Sequence, residues 1–311
     1  MITDIPSKED FTDQAIVFLN LAWDTVFDLL LEYSDAEEWD AIVDNEQSDD
    51  YWKAAQKPLA TAVALSQQGA EFLLKAHIAE ISPFILISGK PSEWPSKCDK
   101  QDTSYSSFHT ADAQDLIRIY DTVAENRLSG NFKELFNKLR LTRNTIFHTV
   151  DRTIRFSEKE VILAILEIAE ELVGQQQWTQ VRRAYLESTP SSAVWSSDAV
   201  GLRLSREMLS AIDLLGKADF TRLLRFNKRQ RRYICPNCIR ECRWVDSELQ
   251  PKTAQLSPNK PSSNNVYCFV CRKNISVLRM ECSMPKCKGN VIHADDDYEC
   301  LTCFEPQEVD E

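Results

Sequence analysis

Residues 131–150 read NFKELFNKLRLTRNTIFHTV. At about 100° per residue, measured from Phe132, the side chains of Leu135, Phe136, Leu139, Ile146, Phe147 and Val150 fall within about 60° of one direction. One apolar stripe of this width belongs to an amphipathic helix with a face to bury. Arg143 falls at about 20°, in the middle of that stripe. A guanidinium so placed has to be paired, or has to face a cleft or a partner chain. Asn144 follows it directly. His148 comes five residues later, about 140° away on a straight helix.

The same periodicity extends towards the N-terminus. Phe11, Ala15, Phe18, Ala22, Val26, Leu29 and Tyr33 recur at three- and four-residue steps and predict a first helix. An acidic stretch with Trp39 and Trp52 follows. A second helix is predicted from about Leu59 to the residue before Pro83, and residues 89–110 read as a polar loop. A third helix carries Leu116, Ile117, Tyr120 and Val123, and the helix quoted above is the fourth. A fifth begins at Ser157, where Glu160 three positions on predicts a capping box, and Gly174 is its stop. Five amphipathic helices with no strand pattern between them predict a helical bundle over residues 1–174.

Beyond it, residues 175–232 turn rich in Gln, Ser and Thr and read as a linker containing helices, with an amphipathic stretch from Leu204 to Phe226. The segment ends in a basic run: Lys217 to Arg232 holds Lys217, Arg222, Arg225, Lys228, Arg229, Arg231 and Arg232 against one acid, Asp219. Residues 233–311 are a cysteine module, within which Ser247 to Asn265 reads as a long loop. The fold class is therefore mainly α, a helical bundle followed by a small short-stranded β module.

The chain has ten cysteines among its 311 residues. Only Cys98 lies outside the module. Cys235/Cys238, Cys268/Cys271 and Cys300/Cys303 are C-x-x-C pairs, and Cys282/Cys287 is C-x4-C. A tight C-x-x-C turn aims two thiolates at one ion, and two such turns complete a tetrahedral site. Eight ligands make two Zn2+ sites, in the spacing of zinc ribbons rather than of copper or iron–sulfur centres. The tandem pairing, first pair with second and third with fourth, is preferred to an interleaved cross-brace. Cys242 is left over as a buried thiol, and His293 is not needed as a ligand. With every position taken by a thiolate, no catalytic metal is expected.

Gly is scarce, at seven residues, and no glycine-rich phosphate loop occurs. The formal charge of −12 excludes nucleic-acid binding by the whole surface; any contact must come from a local patch, for which Lys228, Arg229, Arg231 and Arg232 are the candidates, with Trp244, Tyr267 and Phe269 as stacking partners. No apolar run reaches the ~18–20 residues of a membrane span, and the polar start is no secretory signal. A cytoplasmic protein without membrane association is expected.

Arg-x4-His with a polar residue straight after the Arg, late in an all-α bundle, resembles the HEPN family (higher eukaryotes and prokaryotes nucleotide-binding). The resemblance covers residues 1–174. It implies a metal-independent endoribonuclease acting in defence or toxin-like growth arrest, with a homodimer through the bundle bringing two motifs into one groove. It implies His148 as general acid or base, Arg143 on the phosphate, and Asn144 orienting either. RNA, with tRNA as one natural class, is the implied substrate, and an inhibitor or trigger protein is an implied partner. Val150 stands where paired HEPN toxins often carry Tyr, so control by modifying that Tyr is not implied. Glu71, four residues before Lys75, reads as a solvated ion pair. The alternatives are a non-catalytic adaptor that dimerises through the bundle and binds nucleic acid or protein through the ribbons, and a zinc-dependent transcription regulator.

Overall fold

A computed structural model describes residues 1–41, 44–148, 153–194, 197–243, 246, 248–295 and 298–308. Val150 and Trp244 lie outside the described residues. The chain divides into two compact units, Met1–Gln175 and Gln176–Glu311.

The first unit is a helical bundle. A two-residue strand, β1 (Ile2–Thr3), precedes α1 (Lys8–Glu38), followed by α2 (Asn45–Ala54) and α3 (Gln56–Ile81). Next come β2 (Thr103–Ser104), α4 (Ala113–Val123), α5 (Gly130–His148) and α6 (Glu158–Leu172). The central element is α3, which packs against α1, α4, α5 and α6. Its Leu59, Leu74 and Ile78, with Trp23 and Phe27 of α1 and Ile165 of α6, are fully buried. Each such side chain contributes about 1.5–3 kcal/mol by leaving water.

The five helices read from periodicity are all present. The acidic stretch adds α2, and the polar loop is tied down by β2, which pairs in parallel with β1. Ser157 does precede α6 as its N-cap, but its side chain makes no capping hydrogen bond; the capping box forms at the start of α1 instead, between Ser7 and Asp10. Gly174, at φ 135°, ends the chain's run after α6, in a region that side chains with a Cβ avoid. The length and mean hydropathy of α1 reach those of a membrane span, which counting uninterrupted apolar residues missed. Its buried side is bundle core, with Ala15, Leu19, Trp23 and Val26 inaccessible.

The second unit begins with α7 (Trp178–Glu187), α8 (Pro190–Val194), α9 (Ser197–Leu214) and α10 (Lys217–Leu224). It continues with α11 (Pro236–Cys242), then β3 (Ala254–Leu256), β4 (Asn265–Cys268), β5 (Asn274–Leu278) and β6 (Ile292–His293). The strands form one antiparallel sheet in the order β3-β4-β5-β6. Strand β3 falls inside the stretch read as a long loop.

The linker reading of residues 175–232 is corrected by this arrangement. The predicted helices exist, but they are the body of the second unit. Phe220 and Phe226, in and just after α10, enclose Phe269 at ring-centroid distances of 5.4 and 4.8 Å. Between α7 and α9, Arg182 forms a two-pronged pair with Glu207, at 3.0 and 2.7 Å, and both are fully buried. A segment that supplies core aromatics and a desolvated ion pair is not a tether.

Candidate metal centres and the Arg143 face

The C-x-x-C spacing becomes local structure in two ways. Cys235 is the N-cap of α11, Pro236 starts the helix, and Cys238 lies in its first turn. Proline suits this position because its missing N–H has no acceptor there anyway. Cys268 closes β4 and receives the opposite face of the site, its N–H donating to the Lys273 carbonyl at 3.1 Å across the knuckle. The left-handed Arg272, at φ 57°, turns the chain there.

Cys235, Cys238, Cys268 and Cys271 form one cluster, and Cys282, Cys287, Cys300 and Cys303 a second; within each, the four sulfurs lie within 4.8 Å of one another. The pairing is the tandem one. Sulfur–sulfur distances are 3.6 Å (Cys235–Cys271), 3.7 Å (Cys238–Cys268), 3.7 Å (Cys282–Cys303) and 3.9 Å (Cys287–Cys300). These are far beyond a disulfide bond. A tetrahedron with its centre about 2.3 Å from each sulfur has edges of about 3.8 Å. Each cluster therefore has the size to hold one metal ion. The two sites do not form separate ribbons, because β6 of the second hydrogen-bonds to β5 of the first.

Protons are shared unevenly among the thiols. Hydrogen bonds from Cys235, Cys238 and Cys268 hold the Cys271 thiol well below its ordinary range. Cys238 is pushed up by its bonds with Cys235, Cys268 and Cys271 and by burial. In the second cluster, burial and then Cys287 and Cys282 raise Cys303 to about 12. One thiolate in such a cluster opposes the next, so all four ionise together only around a cation. Thr253 Oγ1 lies 3.2 Å from Cys268 Sγ, and the Gly289 N–H donates to Cys287 Sγ at 3.3 Å.

Cys242 is fully buried on α11, outside both clusters, and burial raises its thiol. His293 is not a ligand. Its Nδ1 lies 3.1 Å from Glu299, whose carboxylate also accepts from Arg240 at 3.0 Å.

The cationic candidates of the second unit are divided in use. Lys228 donates to the Leu215 carbonyl at 2.8 Å, closing the C-terminal end of α9. Arg231 reaches the Lys288 carbonyl and Thr302 at 3.2 and 3.3 Å. Arg229 and Arg232 are exposed. Phe269, read as a stacking surface, is buried between Phe220 and Phe226 and is not available for it.

In the first unit, the apolar stripe of α5 is only partly covered. Phe132, Phe136 and Leu139 are buried, whereas Phe147 is 63% exposed; Leu141, 57% exposed, stands on the opposite side of the helix. The Arg143 side chain is half-buried, donates to Asn144 Oδ1 at 3.2 Å and lies over the Phe147 ring at 5.3 Å. Among the described residues no carboxylate pairs with it. His148 is exposed at the end of α5. Because α5 is unbroken from Gly130 to His148, Arg143 and His148 diverge by about 140° within one chain. Arg140, one turn before Asn144, was not singled out from the sequence; its buried Nε has no partner. Helix α5 carries Lys133, Lys138, Arg140 and Arg143 against one acid, Glu134. Glu71 and Lys75 do pair, at 2.7 Å, but in the bundle interior rather than in solvent, with Gln67 donating to the same carboxylate at 3.2 Å. In comparisons with protein-family profiles, curated proteins and solved structures, nothing matches this chain.

Proposed function

We propose that this protein is an endoribonuclease that cleaves RNA by attack of a ribose 2′-hydroxyl on the adjacent phosphate, with two structural zinc ions in its second unit. The observation that carries the reading is Arg143: a half-buried guanidinium with no carboxylate partner among the described residues, on a cationic helix of a chain whose net charge is −12. A phosphodiester supplies the missing anion. His148 takes the 2′-hydroxyl proton as the 2′-oxygen bonds to phosphorus. The 5′-oxygen leaves and is protonated by the imidazole of a second copy, giving a 2′,3′-cyclic phosphate and a 5′-hydroxyl. Arg143 stabilises the extra negative charge on the pentavalent phosphate, and Asn144 holds the guanidinium in place. A homodimer through α5 covers the exposed Phe147 and brings Arg143 of one copy towards His148 of the other, which the helix geometry of a single chain does not allow.

Zinc is the ion assigned to both clusters, because four thiolates at tetrahedral spacing suit it. With no position left for water, these ions hold the second unit together and take no part in cleavage. Arg229, Arg231 and Arg232 add phosphate contacts outside the reacting groove.

The test is cleavage of total RNA by purified protein and its variants. His148→Ala is expected to abolish cleavage and Arg143→Ala to slow it at least about 100-fold, both with two zinc ions retained per chain. Undiminished cleavage by His148→Ala contradicts the assignment. The divergence of Arg143 and His148 on the unbroken α5 favours one other reading, a non-catalytic adaptor that binds RNA or protein. Binding of RNA without cleavage by the wild-type dimer selects it.

A further inference from the structure

The second unit contains a groove that neither the thiol clusters nor α5 uses. Its floor is a cross-strand row: Gln255 of β3 stands opposite Tyr267 of β4, and Tyr267 opposite Asn274 of β5. The neighbouring row, Val266 and Ile275, is buried, so the alternation of the strands turns the polar row outwards. The wall is the turn after α10. Arg225 ends that helix in the left-handed region, at φ 57°, with its N–H on the Thr221 carbonyl. Gln255 then clamps the turn to the sheet: its side-chain oxygen accepts from the Asn227 N–H at 3.0 Å, and its amide nitrogen donates to the Asn227 carbonyl at 2.6 Å. The cavity measures about 440 Å³, within the range of small-ligand sites.

Three features define what it would take. Among the described residues, no Asp or Glu lines the groove, in a chain with 48 of them, and Arg225 is its only charged side chain. Among the described residues, the Arg225 guanidinium, the Gln230 and Asn274 amides and the Tyr267 hydroxyl have no hydrogen-bond partner in the protein. The Tyr267 ring is half-exposed at the centre of the floor. An amide offers a donor and an acceptor side by side, the arrangement that pairs with a base edge. An exposed aromatic on a sheet face stacks a base, and an arginine at the rim holds phosphate. A neutral sugar would use the amides and the ring but would have no use for a cation or for the exclusion of acids.

We propose that this groove binds an unpaired nucleotide of single-stranded RNA, with Tyr267 stacked on the base, Gln230 and Asn274 on its edge, and Arg225 on the phosphate. The proposal rests on the reading that this chain handles RNA, and gives the second unit the task of holding an unpaired segment. It is tested in full-length, zinc-loaded His148→Ala protein, so that the probe survives. The probe is a labelled single-stranded RNA of about ten nucleotides, with the same sequence as a duplex for comparison, followed by fluorescence anisotropy. The single strand is expected to bind tighter than the duplex. Tyr267→Ala is expected to weaken it about 5- to 150-fold, while Tyr267→Trp, which keeps a stacking surface, preserves it. Gln230→Ala and Asn274→Ala alter a half-buried and an exposed side chain that have no side-chain hydrogen bonds among the described residues, and serve as variants that leave the fold alone; each is expected to weaken binding measurably. Single-strand affinity unchanged in Tyr267→Ala, Gln230→Ala and Asn274→Ala, or absent from the parent, overturns the proposal. Binding that depends on Tyr267 in a protein that never cleaves RNA overturns the nuclease reading alone. Cleavage by the wild type with binding indifferent to Tyr267 overturns the groove alone.

Discussion

Single residues decide whether the metal centres close. A Cβ built on Gly289 would stand 2.5 Å from Cys300 Sγ and 3.0 Å from Thr302. The same residue donates to Cys287 Sγ and accepts from the Cys282 N–H at 2.9 Å. It touches three of the four sulfur-bearing residues of the second site, and only hydrogen fits where its side chain would be. Gly289→Ala is therefore expected to weaken metal binding at the second site by about 10- to 100-fold and leave the first intact. Native mass spectrometry should then count one tightly held ion instead of two; two ions held as in the wild type would contradict the geometry. The spacing marked the eight and left Cys242 over; the structure places Cys242, one helical turn beyond Cys238, buried on α11 outside both clusters.

At the level of elements, the helices most legible in the sequence were those with a continuous apolar stripe, α1, α3, α5 and α6 above all, because a 3.6-residue period records directly which face is buried. The helices of residues 175–232 were seen but misjudged as a tether. Their packing rests partly on Arg182 and Glu207, and charged residues in a Gln- and Ser-rich stretch look solvated until the partner helix is known. Arg203 adds a third member, its Nε 2.6 Å from Glu207 Oε1. Removing the shared carboxylate takes the ion-pair partner from a fully buried guanidinium. Glu207→Ala is expected to destabilise the second unit by about 3–5 kcal/mol, read as a shift in its denaturant midpoint, whereas Arg182→Met with Glu207→Leu restores much of the loss. A Glu207→Ala change of less than about 1 kcal/mol would mean that the pair is not desolvated. The capping box at Ser157 failed for a related reason: the pattern was right for the helix start, but the side-chain bonds depend on rotamers that the pattern does not contain.

Over the whole chain, the RNA reading draws on three cationic places in an acidic protein: the α5 face with Arg140 and Arg143, the exposed arginines before the first thiol cluster, and Arg225 beside a groove with no acid in its described lining. The first two could be picked out from the sequence through Arg143 and the basic run, but the groove was invisible because its floor is assembled from three strands and its wall from a turn. The central claim is that cleavage proceeds through the substrate's own 2′-hydroxyl, driven by α5 without a catalytic ion. It is tested most directly by the chemistry of the cut ends. RNA incubated with the zinc-loaded wild-type protein should yield fragments ending in 2′,3′-cyclic phosphate and beginning with 5′-hydroxyl, and a single 2′-deoxy substitution at the cut site should block that cut. Fragments with 5′-phosphate ends, or cleavage that survives the 2′-deoxy substitution, would contradict it.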